Sequence, residues 1–171
     1  MTETAKTALR AAKGIQAEVP RYGVPPAEGL RAESEQVIPV SVIRDTRGYL
    51  EKTANQINGC YEHGWFDACA VMIRRLVETL IIEAFEHNGI AHKIQDATGN
   101  FVRLEDLITL TLSEQQWNLT RNTKRGLPKL KSLGDLSAHS RRYVAHRQDI
   151  ERVIDDLRVV AQEMLYLAGL K

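Results

Sequence analysis

Cysteine occurs only twice in 171 residues, at Cys60 and Cys69. Two such residues with eight between them make neither a disulfide framework nor a CxxC metal knuckle. They read as small core residues of a protein kept in a reducing compartment. Glycine-rich phosphate loops, a GxGxxG turn and a GxSxG elbow are missing. Their absence removes P-loop nucleotide hydrolysis, dinucleotide chemistry and serine hydrolysis from consideration. Metal-ligand spacing is missing too: Asn88-Gly89 separates His87 from His92, and His139 and His146 have no nearby cysteine or paired acid. No metal and no cofactor are expected. The opening MTETAKTALRAAKG has no apolar run of the signal-peptide kind, and Glu78 and Glu83 interrupt the longest apolar stretch before membrane-spanning length. The expectation is a cytoplasmic chain without a membrane partner.

What the chain does have is apolar periodicity. With 43% apolar residues over this length, one domain with its own core is expected. The stretch from Phe66 to Asn88 is apolar nearly all round, which marks a buried central helix of roughly 35 Å. Asp67 suits the positive end of its dipole, and Asn88-Gly89 supplies a left-handed stop. A helix from Arg44 to Glu62 carries Leu50, Ala54, Ile57 and Tyr61 on one face, and the short link His63-Gly64-Trp65 makes it the antiparallel neighbour of the central helix. The closing helix, Gln148 to Ala168, follows a 3, 4, 3 rhythm through Ile150, Val153, Leu157, Val160, Ala161, Met164 and Leu165.

Shorter pieces fill the middle. Leu104 to Leu112 reads as a short helix, and Ser113 with Gln116 as a capping box for a segment ending near Gly126. Pro128 suits the first turn of a further segment in which leucine recurs every third residue from Leu127 to Leu136. Residues 90 to 102 are mixed, with a turn at Thr98-Gly99-Asn100 and room for a strand pair. Residues 1 to 40 read as an N-terminal arm, broken by Pro20, Pro25, Pro26 and Pro39, and Val37 to Ile43 as extended because proline disfavours helix before it. The fold class is all-α: an up-and-down helical bundle over 41 to 171 with an irregular arm.

Charge is the second signal. The whole chain carries only +1, but from Arg121 to Arg147 eight Lys or Arg face one acid, Asp135, a balance of +7 against −6 for the remainder. Polarity of this kind points to an anionic partner. His139 and His146 lie in this stretch with Lys131, Arg141, Arg142 and Arg147. Arginines can hold phosphate bidentately and a histidine can move a proton near neutral pH, so the stretch could bind RNA or another phosphate ligand, or cleave RNA. A solvated basic loop with packing histidines is the plainer alternative. In the central helix, Arg74 and Glu78 are spaced as a structural i,i+4 pair, whereas Arg75 would be a further phosphate ligand if it faced His139.

Three features together resemble the HEPN superfamily of helical domains, and within it the bacterial domain of unknown function found with restriction and defence proteins. They are the helix pair whose second member carries Ala70, Arg74, Arg75 and Glu78, the late Gly134-Asp135-Leu136-Ser137-Ala138-His139, and the acid-led closing helix from Asp149. The resemblance spans about residues 38 to 168. It implies a bundle, often homodimeric, whose catalytic members are metal-independent ribonucleases using an arginine and a histidine with four to six residues between them. Arg141 and His146 satisfy that spacing with four residues between. His139 occupies the place of the family's histidine, but its upstream cation is Lys131, and Asp135 replaces the family's asparagine. On this resemblance His139, His146 and Arg141 are the catalytic candidates. Lys131, Arg142, Arg147 and Arg75 are the binding candidates. The expected role is a nucleic-acid or nucleotide-associated module of a bacterial defence or stress system, with a metal-independent endoribonuclease and a non-catalytic interaction scaffold as alternatives.

Overall fold

A computed structural model describes residues 36–171; the expectations for residues 1–35 of the arm lie outside the described residues. Seven α-helices are packed together among the described residues, in chain order α1 (Val40–Ile43), α2 (Gly48–Glu62), α3 (Phe66–His87), α4 (Leu104–Ser113), α5 (Arg121–His139), α6 (Arg147–Glu151) and α7 (Ile154–Leu167). This is the all-α helical bundle the periodicity predicts.

Helix α3 is the spine. Nine of its side chains, from Cys69 to Phe85, are buried, and it packs against α2, α4, α5, α6 and α7. The nine lie on one broad face at i, i+3, i+4, i+7 spacing, while Arg75, Glu78, Thr79, Glu83 and Glu86 recur along the other, so the helix is amphipathic with a wide apolar arc and not buried all round as its composition suggests. Burial pushes the Cys69 thiol up to about 12, so it is a neutral core group. At its end Asn88 donates from Nδ2 to the carbonyls of Ala84 (2.7 Å) and Leu167 (2.9 Å), tying α3 to the end of α7.

Several boundaries differ from expectation. Val40–Ile43 is a helical turn, not extended chain: proline constrains the residue before it, while Pro39 itself sits at φ −61 as the helix cap. Helix α2 therefore starts at Gly48, after Asp45 has broken the path with a φ of 62. The last residues of the arm belong to the core. Val37 and Ile38 are wholly buried, Asn58 clamps both backbone groups of Ile38 (3.1 and 2.8 Å), and the Arg158 guanidinium donates to the carbonyls of Val37 and Gln36.

The two segments expected either side of Gly126 are one helix. No turn of helix follows Ser113; the cap is Thr120, whose Oγ1 accepts from the Thr123 amide at 3.3 Å. Pro128 then lies inside α5. It removes the partner of the Lys124 carbonyl, and Lys124 is exposed, so water can serve instead. Between α3 and α4 a single turn of 3-10 helix, Ala91–Ile94, and one bridge, Gln95 to Phe101, replace the strand pair. The closing helix is interrupted at Arg152 and Val153, where the Val153 amide bonds to Ile150, three residues back.

Candidate functional site

Helix α5 approaches α3 closely at Gly134. A Cβ built there would stand 2.4 Å from the Arg74 Cβ and 3.1 Å from the Ala70 carbonyl oxygen, so only glycine fits. The close approach joins four charges in one cluster. Arg74 Nε donates to Asp135 Oδ1 at 2.8 Å, Lys131 Nζ reaches Asp135 Oδ2 at 2.8 Å, and Arg74 also pairs with Glu78 at 3.5 Å. Burial raises the Asp135 carboxyl, but the bonds from Lys131 and Arg74 outweigh it and hold it below the usual aspartate value. Glu105 adds a longer contact to Lys131, 3.7 Å.

Arg74 and Glu78 thus form the expected pair, and the arginine facing α5 is Arg74. Arg75 is exposed. Lys131, a phosphate-ligand candidate by sequence, already has two acids. Beside it lies an open groove of about 630 Å³ between α4 and α5, with Ile108, Leu112, Pro128 and Leu136 on its walls and His139 at one end. Leu136 is 43% exposed although Leu127 and Leu130 are wholly buried. A three-residue repeat explains this: nine residues at about 100° each bring Leu136 to roughly the opposite side of the helix from Leu127.

The two histidines stand in different surroundings. His139 is the last residue of α5 and lines the groove. His146 caps α6, its amide donating to Asp149 Oδ2 at 2.9 Å. That bond comes first among the causes that hold the Asp149 carboxyl below its usual value.

The loop from Ser140 to His146 is anchored to the start of α3, where the Ala145 amide donates to Asp67 Oδ1 at 3.0 Å. Next to it Arg147 lies over the rings of Tyr61 and Phe66, 4.7 and 5.6 Å from their centroids. The two rings meet edge to face, and Tyr61 donates to Glu151 at 2.8 Å. Arg147 is therefore held by aromatic faces. Lys129 is paired with Asp156 at 2.7 Å. Arg121, Lys124, Arg125, Arg141 and Arg142 are exposed, and no ion pair engages them among the described residues.

Sequence reasoning missed Asp135 as the meeting point of α3 and α5. The signal was there as an acid directly after a glycine, inside an otherwise basic stretch. It also passed over Trp65, treated only as part of a link; an exposed tryptophan cannot be told from a buried one by type alone. No membrane-spanning helix and no metal-holding group of three or more His, Cys, Asp or Glu occur among the described residues. Compared with known families, curated proteins and solved structures, the chain matches none of them.

Proposed function

We propose that the chain is an anion-binding, HEPN-like helical module that holds RNA or a related phosphate ligand on its 121 to 147 surface. The supporting observation is the fate of the eight cations in that stretch. Lys129 and Lys131 are neutralised by acids and Arg147 lies over two rings. The other five are exposed, and no acid pairs with them among the described residues. A fold that pairs some of its cations and leaves a run of others in water has a surface suited to phosphates. In this reading the module works in the cytoplasm, as a homodimer, in a bacterial defence or stress system.

Binding is favoured over cleavage. The cation nearest His139 along its helix face, Lys131, is held by Asp135, so it is poorly placed to stabilise charge growing on a phosphorus. A metal-independent endoribonuclease would fall to Arg141 and His146, which share one exposed loop. The groove between α4 and α5 supports a second reading, a non-catalytic scaffold whose partner lays an apolar side chain against Leu136.

Titration of the full chain with labelled RNA at several salt concentrations tests the proposal. Affinity is expected to fall along a straight line in log salt, and the RNA is expected to survive incubation in EDTA. Cleavage in EDTA that disappears in His146→Ala or His139→Ala would replace binding with catalysis. Absence of RNA and nucleotide binding at low salt would leave the scaffold.

A further inference from the structure

The link between α2 and α3 carries a feature that the anion-binding reading does not use. Trp65 is 56% exposed, among the most exposed large apolar residues of the described chain. Its ring is propped from one side by His63, with centroids 5.1 Å apart and planes tilted by 31°. The imidazole is itself fixed, its Nδ1 lying 2.8 Å from the Gly59 carbonyl. The chain between them is held as well: Gly64 takes the left-handed φ of 76 that a tight link requires, and the Trp65 amide donates to the Cys60 carbonyl at 2.8 Å. The indole is thus a supported platform.

Its neighbours supply the rest. The 140 to 147 loop is fastened to Asp67, two residues beyond Trp65, through the Ala145 amide. Arg142 and Arg141 lie three and four residues from that anchor, within about 10 to 14 Å of chain. Among the described residues the acids at this end make no ion pair with Arg141 or Arg142: Asp67 accepts from the Ala145 amide, Asp149 from the His146 amide and from Arg152, and Glu151 from Tyr61. A partner would be met by an exposed ring and by two arginines, Arg141 and Arg142, that no ion pair engages among the described residues. A single-stranded nucleic acid offers both complements, a base face and a phosphate.

We infer that Trp65, backed by His63, stacks an unpaired base of a single-stranded nucleic acid whose phosphates lie on Arg141 and Arg142. The inference rests on the anion-binding reading and adds to it a preference for single strands over duplex.

The fluorescence of Trp65 reports directly on stacking. In full-length Trp117→Phe, where Trp65 is the remaining tryptophan, an unstructured oligouridine is expected to quench the emission in a saturable way, and a duplex of equal length is not. In a separate full-length chain that keeps Trp117, Trp65→Leu should weaken oligouridine binding by about tenfold while leaving its salt slope unchanged. Should Trp117→Phe fail to fold, the Trp65→Leu affinity decides alone. Equal responses to oligouridine and oligothymidine support a site that reads base and phosphate, and a response to the ribose strand alone supports one that also reads the 2′-hydroxyl. Salt-dependent binding without quenching, and unaltered in Trp65→Leu, overturns the stacking platform and spares the phosphate surface. Binding to no strand at all overturns both.

Discussion

The α5 side of the α3–α5 seam and the 140 to 147 loop are drawn from one basic stretch of sequence, yet the fold uses them in opposite ways. At the seam, Gly134 lets two helices meet and Asp135 gathers Arg74 and Lys131, so charge is spent on architecture. In the loop, backbone anchors do the fixing, through Asp67 and Asp149, and the side chains of Arg141 and Arg142 are left to solvent. Positive charge in a sequence does not itself indicate a ligand site. What distinguishes the two regions is whether an acid lies within reach, and that depends on which helices pack together.

The contrast breaks most severely at Gly134. Gly134→Val would put methyl groups where the Arg74 side chain and the Ala70 carbonyl already stand, forcing α5 away from α3. Overpacking of this kind should cost about 3 kcal/mol in urea unfolding. Asp135→Asn is a smaller step. It removes the carboxylate shared by Arg74 and Lys131, whose side-chain exposures are 26% and 23%, and leaves them only the longer contacts to Glu78 and Glu105. The loss should be about 1 kcal/mol at neutral pH, since such pairs are partly screened. A pH series sharpens it. The folded Asp135 carboxyl lies below its ordinary 3.8, so its contribution is present above that value and fades as the pH falls through the folded value. The wild type should therefore lose its advantage over Asp135→Asn on acidification, and a gap that stays constant to low pH would show that the charge is not what matters.

The same distinction explains what could be read from the sequence. Helix α3, the antiparallel α2 and the closing rhythm of Ile150, Leu157, Val160 and Met164 were legible because burial leaves a periodic trace. The Arg74–Glu78 pair was legible from its i,i+4 spacing. The continuity of α5 was not: Gly126 and Pro128 look like punctuation, and only the packing on α3 and α7 overrides it. The exposure of Leu136 follows from its distance from Leu127 along a helix whose length the sequence had concealed. For the site, the candidate residues could be named, but their grouping could not. Lys131 and Arg147 acquire partners from α4, α2 and α3, and no local pattern encodes those pairings.

The loop arginines give the smallest expected effect on the fold and the most informative one on binding. Arg141 and Arg142 follow the cap of α5, their side chains exposed and engaged by no ion pair among the described residues. Replacing both with alanine should change unfolding free energy by less than about 0.5 kcal/mol, as for other surface positions without partners. If each holds one phosphate of a single strand, the slope of log affinity against log salt should become shallower by about 1.4 in the double variant, roughly 0.7 for each phosphate no longer neutralised. A double variant that is destabilised would mean that the loop depends on these side chains as the seam depends on Asp135. One that keeps its stability and its salt slope would remove Arg141 and Arg142 from the phosphate surface and shift attention to Arg121, Lys124 and Arg125, exposed cations on the first turns of α5 that no acid pairs with among the described residues.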